Sequence, residues 1–136
     1  PLMCLLAAEM MAVEKASPAE LYASLEKRLG APVYQRLDAP ADDHVRARLL
    51  NLTAEDVGLK SLGGSPVTEI LTRAPGNDAP IGGVKVVSRD GWFAVRPSGT
   101  EAICKVYAES FRDEEHLRAI QKDAVGFLDK LLTGRE

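Results

Sequence analysis

Apolar and polar positions follow two different periods along this chain, and the change from one to the other divides it. Residues 2–13 are apolar almost throughout, with helix-forming composition and only Glu9 inside the run. A helix without a polar face is normally buried on more than one side. Leu2–Val13 is therefore expected to be a buried core helix, with part of its partner surface outside the chain. Ser17-Pro18-Ala19-Glu20 is a capping box with proline at the first helical position. It predicts a second helix from Pro18 to Leu29, carried by Leu21, Leu25 and Leu29 and ended by Gly30.

After residue 31 the period shortens to two. Val33–Leu37, Val67–Thr72, Val84–Val87, Trp92–Val95 and Ile103–Ala108 read as strands. Between them, Ala39–Ala41 reads as a turn and Arg89-Asp90-Gly91 as another. Asp42 or Asp43 can cap a helix across Val45–Leu52, with Arg46 and Arg48 on a solvated face. Thr53-Ala54-Glu55-Asp56 resembles a further short cap. Leu59–Ser65, with Gly63-Gly64, reads as a loop, and Ala74–Gly83 as an irregular crossing whose Gly82-Gly83 turns into the next strand. Asp113–Leu132 is the final helix, with an apolar stripe of Leu117, Ile120, Ala124, Phe127, Leu128 and Leu131. Gly126 costs about 1 kcal/mol in that helix unless close packing requires it. Strands with two flanking helices argue for an α+β class: a small, mostly antiparallel sheet covered by helices on one face.

Composition narrows the function. The chain has 136 residues, enough for a modest single core, and a formal net charge of -3. That charge argues against a broad nucleic-acid surface, while a local anion site needs only one or two cations. No apolar run is long enough to span a membrane, and Leu2–Val13 lacks the basic start of a signal peptide. Cys4 and Cys104 lie far apart and suit a reduced, cytoplasmic chain with two semi-buried thiols. His44 and His116 have no metal-ligand grouping and read as exposed helix residues.

The chemistry concentrates in Arg96-Pro97-Ser98-Gly99-Thr100-Glu101, a loop held between strand ends. Arg96 offers a charge-assisted, forked contact to a phosphate. Ser98 and Thr100 can donate hydroxyls. Gly99 lets the backbone bend so that successive N–H groups form an anion nest, and Pro97 stiffens the approach. Lys105 reads as a solvated strand residue that can add long-range attraction. No Gly-Lys-[Ser/Thr] follows, so this is not a Walker A loop.

Arg-Pro-Ser-Gly-Thr-Glu resembles the phosphate-binding signature in the last domain of the α-D-phosphohexomutases. Ala74-Pro75-Gly76-Asn77, Ile81-Gly82-Gly83-Val84-Lys85-Val86, Gly91-Trp92-Phe93-Ala94, Ser17-Pro18-Ala19-Glu20 and Gly30-Ala31-Pro32-Val33-Tyr34 resemble that family's bacterial phosphoglucomutase branch. The resemblance covers nearly the whole chain but only the C-terminal part of the family's sequence. It implies a TATA-box-binding-protein-like α+β domain over residues 31–136, preceded at 1–30 by the helical end of the third mutase domain. It implies the interconversion of glucose 1-phosphate and glucose 6-phosphate through glucose 1,6-bisphosphate and a phosphoserine, with Mg²⁺ held by an Asp-Gly-Asp loop. Residue by residue, it carries binding of the non-transferring phosphate to Arg96, Ser98, Gly99 and Thr100, with Glu101 pinning the loop or orienting Arg96.

The phosphoserine loop, the Asp-Gly-Asp cluster and the sugar-reading Gly-Glu-x-Ser loop are absent from this sequence. No catalytic residue, metal ligand or bound cofactor is therefore expected here, and this chain alone is expected to be inactive. Its expected partners are a sugar phosphate and the upstream mutase domains, with no nucleic acid and no membrane. Leu2–Val13 is also expected to drive self-association. Rival readings are a sister mutase for mannose or glucosamine phosphates and a stand-alone anion-binding module. The uncapped apolar start argues against the module.

Overall fold

The computed structural model describes residues 1–133 and forms two compact units, Pro1–Pro32 and the chain from Val33 onward. In the first unit, α1 spans Leu2–Glu14 and α2 spans Pro18–Leu29. The capping box forms as its residues dictate. Ser17 Oγ accepts from the Glu20 N–H at 3.3 Å, and the Glu20 carboxylate accepts from the Ser17 N–H at 2.8 Å. The Ser17 N–H foremost, and then the Ser17 hydroxyl donating to the same carboxylate at 2.7 Å, hold the Glu20 carboxyl below its ordinary value. Gly30 ends α2 at φ 96°. The expectation of a core helix at Leu2–Val13 fails within this chain: α1 has no buried residue, and Leu2, Met3 and Val13 are 67%, 75% and 71% exposed. An apolar helix is buried only where a second apolar layer covers it, and α2, the other helix of this unit, does not bury it.

The second unit is a six-stranded antiparallel sheet in the order β1-β6-β5-β4-β3-β2. Its strands are β1 Val33–Pro40, β2 Ser61–Leu62, β3 Ser65–Arg73, β4 Pro80–Ser88, β5 Gly91–Pro97 and β6 Ile103–Ser110. Helices α3 (Asp43–Leu50), α4 (Ala54–Val57) and α5 (Glu114–Thr133) complete the unit. The class is α+β, as the patterning predicts. Alternation decides the faces: Val84, Val86, Phe93, Val95, Cys104, Val106 and Ala108 are buried. Leu117, Ile120, Ala124, Phe127, Leu128 and Leu131 of α5 and Val45 and Leu49 of α3 join the same core. Each such side chain contributes about 1.5–3 kcal/mol on full burial. Phe93 and Phe127 pack with ring centroids 6.2 Å apart. Among the described residues, no helix is long and apolar enough to cross a membrane.

Several local expectations are corrected. Ala39–Ala41 is not a turn: β1 runs on to Pro40, pairing Ala39 with Cys104 and Pro40 with Ile103. Proline is tolerated because β1 is an edge strand. Leu59–Ser65 is a hairpin rather than a loop. Gly63 (φ 56°) and Gly64 (φ 85°) form its two-residue turn, which needs positive φ at both positions. Gly82-Gly83 lies inside β4, not before it.

Helix α3 stops at Leu50, capped by Asp42, whose carboxylate accepts from the Val45 N–H at 2.8 Å. Arg48 is more than a solvated residue, since its guanidinium donates to the Leu131 carbonyl at 2.8 Å in the last turn of α5.

His116 is buried, not exposed. Ser110 Oγ accepts from the Arg112 and Asp113 N–H groups, which leaves its proton for His116 Nδ1 at 2.8 Å. The two thiols also differ from expectation. Cys4 is exposed, and Cys104 is buried, with burial raising its thiol pKa against a smaller opposing effect of Arg46.

The glycines give a sharp test of this packing. Nothing lies within 4 Å of where a Cβ on Gly126 would stand, so close packing does not require that glycine. Gly126→Ala is expected to stabilise the unit by about 1 kcal/mol, raising Tm by about 4–8 °C. A Cβ on Gly63 would meet His116 Nε2 at 2.7 Å, on a left-handed backbone. Gly63→Ala is expected to cost about 2 kcal/mol or more in a denaturant titration. Equal midpoints for the two variants would contradict the structure.

Candidate functional site

Strands β5 and β6 form a hairpin whose register positions the site. Val95 pairs with Val106, Arg96 with Lys105 and Pro97 with Cys104. The loop between them, residues 98–102, is tied at both ends. The Ser98 N–H donates to the Ile103 carbonyl at 2.9 Å, and the Ala41 N–H donates to the Ala102 carbonyl at 3.0 Å. Because Val95 points into the core, alternation sends Arg96 to the uncovered face, where it is exposed. Among the described residues Arg96 makes no ion pair and no side-chain hydrogen bond.

Ser98, Gly99, Thr100 and Glu101 divide into two groups. Ser98 is 6% exposed, and its hydroxyl donates to the Glu101 carboxylate at 3.4 Å. Glu101 thus touches Ser98 and not Arg96. Gly99 and Thr100 are exposed, and neither their amides nor the Thr100 hydroxyl bonds to another described residue. Gly99 does not take a left-handed φ, and nothing lies within 4 Å of where its Cβ would stand. The backbone does bend at Gly99, without a left-handed φ, and leaves open space there. The amide of Ser98 is spent closing the hairpin. Among the described residues the Arg96 guanidinium, the Gly99 and Thr100 amides and the Thr100 hydroxyl are therefore without protein partners, whereas the Ser98 amide and hydroxyl are both engaged.

Lys105 stands directly across from Arg96, with Asp38 of β1 on its other side. Asp38 is itself engaged by Arg36 at 3.2 Å. Like charges opposite one another destabilise a sheet, so a dianion between Arg96 and Lys105 would relieve their repulsion. Hairpin register and the period of two put Lys105 beside Arg96. The other open-face lysine, Lys85, is committed 4.3 Å above the Trp92 ring, whose Nε1 donates to Glu109 at 2.6 Å. Among the described residues, no group of three or more His, Cys, Asp or Glu side chains could hold a metal ion.

Residues 13–126 match the family described as phosphoglucomutase/phosphomannomutase, C-terminal domain. A phosphoglucomutase of Komagataeibacter xylinus is 53% identical over 120 residues, which cover 88% of this chain and 22% of that protein. A phosphoglucosamine/phosphogalactosamine mutase of Sulfurisphaera tokodaii (strain DSM 16993 / JCM 10545 / NBRC 100140 / 7) is 30% identical over 127 residues, 93% of this chain and 23% of that protein. The chain thus spans less than a quarter of the length of these relatives. With a family match across most of its length and the signature loop at a sheet-strand end, the chain belongs to the phosphoglucomutase/phosphomannomutase C-terminal domain family.

Proposed function

We propose that this chain is the phosphate-gripping C-terminal part of a phosphoglucomutase that interconverts glucose 1-phosphate and glucose 6-phosphate. The observation that carries the proposal is that Arg96, at the strand end that leads into the 98–102 loop, and the Gly99 and Thr100 amides have no partner among the described residues, with Lys105 opposite Arg96. Arg96 supplies the forked charge contact, Lys105 a second positive charge, and the amides orient the phosphate oxygens. Ser98 joins only by exchanging its long Glu101 contact for the ligand, so Glu101 acts as the loop's internal clamp. The phosphate held here is the one not being transferred.

The greater identity to the phosphoglucomutase than to the amino-sugar mutase favours glucose phosphates over the sister reading. In this reading the phosphoserine, the glucose 1,6-bisphosphate turnover and the Mg²⁺ of that reaction belong outside this chain; among the described residues no acidic cluster fits the ion. This chain supplies binding and orientation. Alone it should show no turnover in a coupled mutase assay, and activity that survives rigorous purification would refute that assignment. The whole enzyme would work in the cytoplasm.

Arg96→Ala tests the site. In this open chain the loss of phosphate affinity should be about fivefold, or about 1 kcal/mol, because solvent screens the charge. In a closed cleft the same truncation would cost about 2–5 kcal/mol. Arg96→Lys should recover part of the loss, since a point charge lacks the planar fork. Unchanged affinity of Arg96→Ala in an NMR titration with inorganic phosphate would refute the assignment.

The unit Pro1–Pro32 is proposed to end a preceding mutase domain, which would cover the apolar surface of α1. Without that cover, α1 should drive self-association. Light scattering of this chain should report oligomers that Leu2→Lys with Leu5→Lys reduces. A strictly monomeric parent with α1 ordered would contradict the proposal.

A further inference from the structure

The pairing of β4 with its neighbours is irregular beside the candidate site. On the β3 side, Leu71 pairs with Lys85 but Arg73 pairs with Pro80, so β4 carries extra residues through Ile81–Val84. Gly82 accommodates the excess with φ +70°. The next residue, Gly83, is buried and lies against β5. A Cβ built on Gly83 would stand 2.1 Å from the Val95 carbonyl oxygen, 3.1 Å from the Val95 carbonyl carbon and 3.1 Å from Arg96 Cα. All three atoms belong to the short stretch of backbone that carries the Arg96 side chain. Gly83 itself has no left-handed φ, so the obstacle to a side chain there is this contact.

From this contact we infer that Gly83 is a positioning residue for Arg96. Its missing side chain allows β4 to press directly on the Val95–Arg96 peptide and fixes where the guanidinium stands relative to the Gly99 and Thr100 amides. The inference rests on the reading of Arg96 as the phosphate anchor. It adds a residue that touches no ligand, and it assigns the Gly82-Gly83 pair a role in the site without any phosphate contact of its own. A methyl group at Gly83 must displace that peptide, because the atoms it meets are backbone and cannot rotate away. A displacement of the order of 1 Å at a charged anchor weakens a geometry-dependent contact severely.

The test compares Gly83→Ala with Gly91→Ala. A Cβ on Gly91 would stand 2.4 Å from the Glu109 carbonyl oxygen, a comparable backbone clash at the opposite end of β5, and 2.6 Å from Ile120 Cδ1 in the core. Gly91→Ala therefore matches the steric insult but leaves Arg96 alone. The 136-residue chain and both variants are titrated with inorganic phosphate by amide NMR, in the same concentration of trimethylamine N-oxide to favour the folded state. Only peaks of the folded form are read, so lost stability does not enter the affinity.

The expected result is parent binding with shifts at Gly99 and Thr100, near-parent affinity for Gly91→Ala, and affinity about threefold to fivefold weaker for Gly83→Ala, approaching the loss on Arg96→Ala. A Gly83→Ala chain that folds and binds like Gly91→Ala overturns the positioning role while the phosphate site stands. A Gly83→Ala chain that stays unfolded where Gly91→Ala folds also overturns it, because the glycine then serves the fold. A parent that shows no shifts at Gly99 and Thr100 overturns the phosphate site itself.

Discussion

The pairing of β5 with β6 is the constraint on which the rest depends. It fixes two things at once. Its inward positions, Phe93, Val95, Cys104, Val106 and Ala108, form the centre of the core under α5. Its outward positions place Arg96 beside Lys105 at the strand end. Because side chains alternate strictly, a one-residue slip would expose the core set and bury both cations. Core burial therefore holds the site in register: the apolar side chains that stabilise the sheet also set the direction of the guanidinium.

The two faces of the sheet divide the work. Helices α3 and α5 cover one face and are tied together by the Arg48 bond to the Leu131 carbonyl. The other face carries Arg36, Asp38, Lys85, Trp92, Arg96 and Lys105, partly engaged with one another. Arg96 stands out because it has no protein partner among the described residues. Its loop is nevertheless fixed, by the Ser98 bond to Ile103 and the Ala41 bond to Ala102. A fixed backbone with an uncommitted charge and free amides is preorganised for an anion, since little ordering remains to be done on binding. Asp90, in the turn that joins β4 to β5, accepts from Ser65 at 2.6 Å, which holds its carboxyl below the ordinary value.

The sequence made the fold class and the signature loop legible, because both rest on local rules. Alternation marked β4, β5 and β6, and the 3.6-residue stripe marked α5. Side-chain oxygens at Ser17, Asp42 and Thr53 marked the starts of α2, α3 and α4. What escaped depends on contacts between distant residues. Pro40 reads as a turn until β6 is known to lie beside it. His116 reads as exposed until Gly63 and Ser110 are seen around it. Gly83 reads as a turn residue until β5 is seen pressed against it. Ser98 reads as a donor to ligand from its hydroxyl, and its 6% exposure and its contact with Glu101 become visible only in the folded loop.

The most direct test is a crystal structure of this chain with glucose 1-phosphate. The account predicts phosphate oxygens on the Arg96 guanidinium and on the Gly99 and Thr100 amides, with Lys105 turned towards the same phosphate. A phosphate seated elsewhere while the residue 98–102 loop remains open to solvent would contradict it.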